Sequence, residues 1–162
     1  MGLRKICVLL SVMLVGALSW LGVGTAAADR PLPKVSQYSD NIGTFGDHDF
    51  CHGAFNVGLS TPTGKRGIVR VTLTSFGFTG NAPGWKRNPK CRFLVNLNHT
   101  GSAVFSKDMF VPVAFGPRPG QKVQRDLRTG SGVAWIAVAT YAANNPVRAL
   151  QSYGSAFYTV VP

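Results

Sequence analysis

The chain has 162 residues and carries 17 Lys and Arg against six acids, a formal charge of +11 at pH 7. All six acids are aspartate, so the Glu–Lys pairing that supports long exposed helices is missing and a helical architecture is disfavoured. With three cysteines and enough length to bury a core, the chain does not need a disulfide-dense scaffold.

Taken in chain order, the first feature is Arg4 and Lys5 followed by the apolar run "ICVLLSVMLVGALSWLGVG" and the small residues of "TAAAD". Charge, apolar stretch and A-x-A spacing at Ala26 and Ala28 predict a bacterial-type secretory signal over residues 1–28, cleaved before Asp29. An uncleaved anchor is the alternative, because the run is nearly long enough to span a bilayer. The mature chain, residues 29–162, then keeps a charge of +9 and the length of one domain. It has no later stretch suited to a transmembrane helix. Secretion or cell-envelope association is the expected location. Loss of Cys7 with the signal leaves Cys51 and Cys91, and in an oxidising compartment the two are expected to bond to each other.

Residues 29–46 read as an irregular lead-in with at most one short strand. From residue 47 to the end the hydrophobic period is two. Cys51, Phe55, Val57 and Leu59 share one parity; so do Val69, Val71 and Leu73, and again Cys91, Phe93, Val95 and Leu97. "STPTGKRG" and "TGNAPG" supply turns between the runs. Both cysteines lie on the apolar parity, so the expected bond is a buried cross-link between core-facing positions. "HTGS" (99–102) reads as a hairpin turn, and Pro112 assigns "MFVPVAFG" to an edge or a bulge. "VAWIAVATYA" is apolar on both faces and is expected to be central. "SAFYTVV" closes the chain as a strand, and "PVRALQSY" is the one stretch compatible with a helical turn.

Seven to nine short strands with Gly, Pro and Asn turns predict an all-β domain over 47–162, an antiparallel sandwich, with a small β-barrel as the alternative. Residues 110–141, "FVPVAFGPRPGQKVQRDLRTGSGVAWIAVATY", resemble the later strands of immunoglobulin-like sandwiches. The resemblance covers about a quarter of the mature chain and implies a superfold without a function. The tryptophan that such domains bury beside their disulfide has no counterpart near the cysteines, and Trp135 is the candidate for that core role.

Two groups of residues could carry chemistry. Asp47, His48, Asp49 and His52, in "DHDFCH", are candidate metal ligands or hydrolase groups. On an extended strand, however, the two imidazoles would lie about 13 Å apart, too far for one ion. No nucleophile elbow, carboxylate pair or phosphate-binding glycine loop is present, and no cofactor is expected. "NHT" (98–100) matches an N-glycosylation acceptor, which matters only in a host that glycosylates. The second group is Trp85, Lys86, Arg87, Lys90 and Arg92 in "GWKRNPKCR". There a ring and clustered cations suit anionic polysaccharide or lipid headgroups, while Pro89 and a bonded Cys91 would limit the loop's ordering cost. Lys65 and Arg66 fall in the turn at the opposite end of the intervening strand.

The expectation is therefore an exported, cationic, non-enzymatic protein. Its expected partner is an anionic polysaccharide or lipid surface, or another protein. Nucleic acid is set aside, because an exported chain seldom meets it and no aromatic nucleic-acid motif is present. The competing readings are a metal-binding protein or hydrolase centred on 47–52, and a small barrel embedded in a membrane.

Overall fold

The computed structural model describes residues 29–144 and 146–162, and the expected signal segment with Cys7 lies outside them. The described chain is all-β, two antiparallel sheets packed face to face. Its strands are β1 (Arg30–Pro31), β2 (Lys34–Ser36), β3 (Asn41–Phe45), β4 (His52–Thr61), β5 (Ile68–Thr79), β6 (Cys91–Gly101), β7 (Val104–Phe115), β8 (Lys122–Arg128), β9 (Gly132–Tyr141) and β10 (Ser155–Val161). The first sheet runs β1-β4-β5-β8 with β3 also on β4; the second runs β2-β10-β9-β6-β7. Both have free edges. The barrel alternative therefore falls, and with it the membrane-embedded barrel, since a spanning barrel must close on itself. No helix among the described residues is long and apolar enough to cross a membrane.

Side-chain alternation builds the core. Phe55, Val57 and Leu59 of β4, Val69, Val71 and Leu73 of β5, and Phe93, Val95 and Leu97 of β6 point inward and are buried. Each such side chain contributes about 1.5–3 kcal/mol on leaving water. Pro112 sits in β7 at a sheet edge, and β9 lies between β10 and β6, where its apolar composition placed it.

Three expectations need correction. The 29–46 segment is not irregular: it forms β1, β2 and β3, passing from the first sheet to the second and back. Trp135 is not a core residue. It is half-buried on the outer face of β9, opposite Tyr158, while Ala134, Ile136 and Val138 take the inward parity. Four phenylalanines fill the space near the disulfide instead: Phe93 lies 5.9 Å from Phe55, 5.6 Å from Phe78 and 6.1 Å from Phe115, centroid to centroid. The 146–153 stretch forms no helical turn but meets β9 through a Tyr141–Leu150 bridge; the helical turn is Pro83–Lys86, of 3-10 type.

The topology sorts the loops into two ends. β3 ends at Phe45 opposite His52, the first residue of β4, which itself pairs with Thr79 at the end of β5. Cys91, opening β6, faces Phe115 at the end of β7, and Leu94 faces Tyr141 at the end of β9. Loops 46–51, 80–90, 116–121 and 142–154 therefore gather at one end of the sandwich. The turn holding Lys65 and Arg66 lies at the other.

Candidate functional site

The gathered loops are fastened by three devices. The first is covalent. Cys51 and Cys91 are bonded with Cα atoms 5.6 Å apart, and both are fully buried. The bridge ties the loop entering β4 to the start of β6, one in each sheet. Gly46 makes room for it: a Cβ there would come within 2.3 Å of the Cys91 sulfur.

The second device is Asp47, whose side chain has no exposed area. Its oxygens accept from the Arg92 backbone N–H at 3.0 Å, the Arg92 guanidinium Nε at 2.8 Å, His48 Nδ1 at 2.7 Å and Asn144 Nδ2 at 3.2 Å. Burial opposes its charge, but the donors from His48 and Arg92 outweigh burial and hold the carboxyl below its ordinary range. One carboxylate thus joins its own loop to β6 and to the 142–154 loop.

His48 is the third. While Nδ1 meets Asp47, Nε2 reaches the Asn88 carbonyl at 3.0 Å and lies 3.7 Å from an Asp49 oxygen. Both ring nitrogens face acceptors, so both are satisfied as donors only in the imidazolium. The hydrogen bond to Asp47 and then that to Asn88 raise its pKa. The ring centroid sits 6.0 Å from that of Trp85, and Asn81 N–H donates to the Asp49 carbonyl at 2.9 Å. The 46–51 and 80–90 loops are thereby locked together.

This geometry decides what the Asp/His cluster can do. Asp47, His48 and Asp49 come together, but His52 is turned away, its Nδ1 2.9 Å from the Phe50 carbonyl and its ring against Phe45. Asp47, His48 and Cys51 offer ligand atoms within 4.8 Å of one another, yet the sulfur is in the disulfide, both imidazole nitrogens face oxygen acceptors and the carboxylate is already saturated with donors. The donor set does not fit a metal ion. It reads as a clamp.

The basic group is placed as follows. Trp85 is half-buried: its indole packs on the core, lying over Gly80, where a Cβ would come within 2.8 Å of the ring. Arg92 is spent on Asp47. Lys86, Arg87 and Lys90 are exposed and take part in no ion pair among the described residues. The 116–121 loop joins them, for the Pro89 carbonyl oxygen would lie 3.0 Å from a Cβ at Gly116, and it brings Arg118 and leads into Lys122 at the start of β8, both exposed. Meanwhile every aspartate among the described residues is engaged: Asp29 and Asp126 on Arg70, Asp40 on Lys34, Asp47 and Asp49 as above, and Asp108 on the amides of Asn96 and Asn98.

Sequence reading missed the aromatic members of this end. Phe50 is 79% exposed, and both it and Asp49 have φ of 51°, in the left-handed region. Phe45 and Tyr153 are exposed as well. A signal existed in the sequence: Phe50 falls between Asp49 and Cys51, off the parity shared by Cys51 and Phe55. No protein-family model matches this chain, and no curated protein or solved structure shows significant similarity to it.

Proposed function

We propose that this is an exported binding protein, not an enzyme, which associates with anionic surface material through the disulfide-clamped end of its sandwich. The supporting observation is the set Lys86, Arg87, Lys90, Arg118 and Lys122. These cations share one end and have no ion-pair partner among the described residues, and Lys86, Arg87 and Lys90 stand on the loop fixed by the Cys51–Cys91 bridge and the Asp47–His48 clamp. Fixed loops lose little entropy on binding, and an unneutralised cluster creates an attractive field for phosphate or carboxylate. The Asp47–His48 cluster is occupied in holding these loops, which supports a binding reading over a catalytic one.

The test is affinity for heparin, a soluble anionic polymer, across a salt series. Binding should weaken steeply as the screening length falls to about 8 Å at physiological ionic strength. The triple variant K86A/R87A/K90A should lose affinity at low salt by about two orders of magnitude, taking about 1 kcal/mol per cation at an anionic surface. Unchanged affinity in that variant contradicts the assignment.

A further inference from the structure

The cationic end also carries exposed apolar side chains, and these narrow the class of partner. Phe50 stands at the tip of the 46–51 loop with 79% of its area exposed, Val147 has 74%, and Tyr153 is fully exposed; Phe45 and Leu150 are more than half exposed. Phe45, Phe50, Leu150 and Tyr153 lie on one continuous surface. An open cleft of about 470 Å³ is bounded by Phe45, Leu150 and Tyr153, and a second of about 430 Å³ by Phe45 and Phe50; Phe45 and Gln151 belong to both. Lys86 and Arg87 are on the loop that packs directly against the Phe50 loop.

The backbone at Phe50 adds a second, independent observation. A bulky aromatic at φ 51° is uncommon, and this one gains no burial in return. Unfavourable conformations of this kind persist where surrounding structure over-determines them, and they cluster at functional positions. Here the disulfide at Cys51 and the Asp47 hub hold the turn, and the turn holds the ring outward.

We infer that this end docks on anionic phospholipid bilayers: Phe50, with Phe45 and Tyr153, seats at the boundary between headgroups and acyl chains, while Lys86, Arg87 and Lys90 pair with headgroup phosphates. The inference rests on the proposed function for its charge and goes beyond it in naming the surface. Rings that sit at a water–hydrocarbon boundary beside cations are the features of interfacial binding. An anionic polysaccharide held in a concave site would call for cationic groups converging there, and neither of these clefts is lined by a lysine or arginine.

The experiment measures binding to vesicles of phosphatidylglycerol and phosphatidylcholine, with pure phosphatidylcholine vesicles and heparin in parallel. F50S is compared with F105S, which removes a 93%-exposed phenylalanine near the opposite end. Losing the seated ring should lower affinity for the anionic vesicles about tenfold and abolish the salt-resistant part of binding. F105S should stay within about twofold of the parent, and heparin affinity should be the same in all three proteins. A Phe50→Trp variant should gain indole emission that brominated acyl chains quench. Vesicle binding by F50S equal to that of the parent overturns the inference and leaves the charge-based function intact. Heparin binding without vesicle binding does the same. Binding to neither removes both.

Discussion

Replacing both Cys51 and Cys91 with alanine perturbs the device on which the site's loops depend. The bridge closes a loop with a sequence separation of 40 residues. In the chain-entropy model that constraint removes about 13 cal/mol/K from the unfolded chain, or about 4 kcal/mol at 25 °C. Both side chains are fully buried, and the space left by two sulfurs adds about 1 kcal/mol of lost packing. The double variant should therefore be less stable by about 4–5 kcal/mol. With a urea dependence of about 2 kcal/mol/M for a domain of this size, the midpoint should fall by about 2–2.5 M. The assay is urea unfolding followed by tryptophan fluorescence, on the oxidised parent and the C51A/C91A variant under the same buffer. Amide exchange should locate the local effect: residues 46–50 and 84–90 should exchange faster than the strands. A loss below about 1 kcal/mol, or exchange rates unchanged in those loops, would refute the reasoning that the bridge fixes this end.

Four further outcomes follow from the same geometry. Gly46→Ala should cost about 1–3 kcal/mol by overpacking, because the new methyl meets the Cys91 sulfur at 2.3 Å; thermal unfolding reads it. Phe50→Asn should raise stability by about 1 kcal/mol, since Asn tolerates the left-handed backbone that Phe adopts at a cost, while reducing vesicle binding. Stability should also peak near pH 6.5. His48 has its pKa raised by Asp47 and Asn88, so its contribution is complete below 6.5 and is lost as pH rises through the folded value. His99 is buried and its pKa is lowered by that burial, so its contribution is complete above 6.5 and is lost as pH falls through the folded value. In urea midpoints from pH 4.5 to 8.5, H48N should abolish the alkaline fall and leave the acid one; a midpoint that keeps rising above pH 6.5 in the parent contradicts the His48 assignment, and one that does not fall below pH 6.5 contradicts that of His99.

The strands were legible because parity is a local property. Val69, Val71 and Leu73 declare a half-buried strand without reference to anything distant, and Cys51 and Cys91 fell on the inward parity of their own runs. What could not be read were features set by long-range contact. β1 and β2 have two and three residues, too few to show a period, and each exists because a partner strand accepts it. Trp135 was the candidate for the core tryptophan that the immunoglobulin-like resemblance implies, yet its register places it outward. Asp47, His48, Asp49 and His52 looked like chemistry because reactive side chains adjacent in sequence carry no sign of their partners. Arg92, Asn88 and Asn144, up to 97 residues away, turn Asp47 and His48 into a clamp, while His52 faces elsewhere. Phe50 lay off the inward parity, but the left-handed backbone that presents it at the tip of the loop is set by contacts of the folded chain.

The most direct test of the central claim compares two variants with the same loss of charge at different places. K86A/R87A removes two cations from the clamped end, and K65A/R66A removes two from the opposite end. Affinity for phosphatidylglycerol vesicles at ~0.15 M salt should fall roughly thirtyfold in the first, from ~1 kcal/mol per cation. The second should change by less than about threefold, since charges far beyond the ~8 Å screening length act weakly. Equal losses in the two variants would mean that net charge alone drives association, and that this end of the sandwich is not the binding surface.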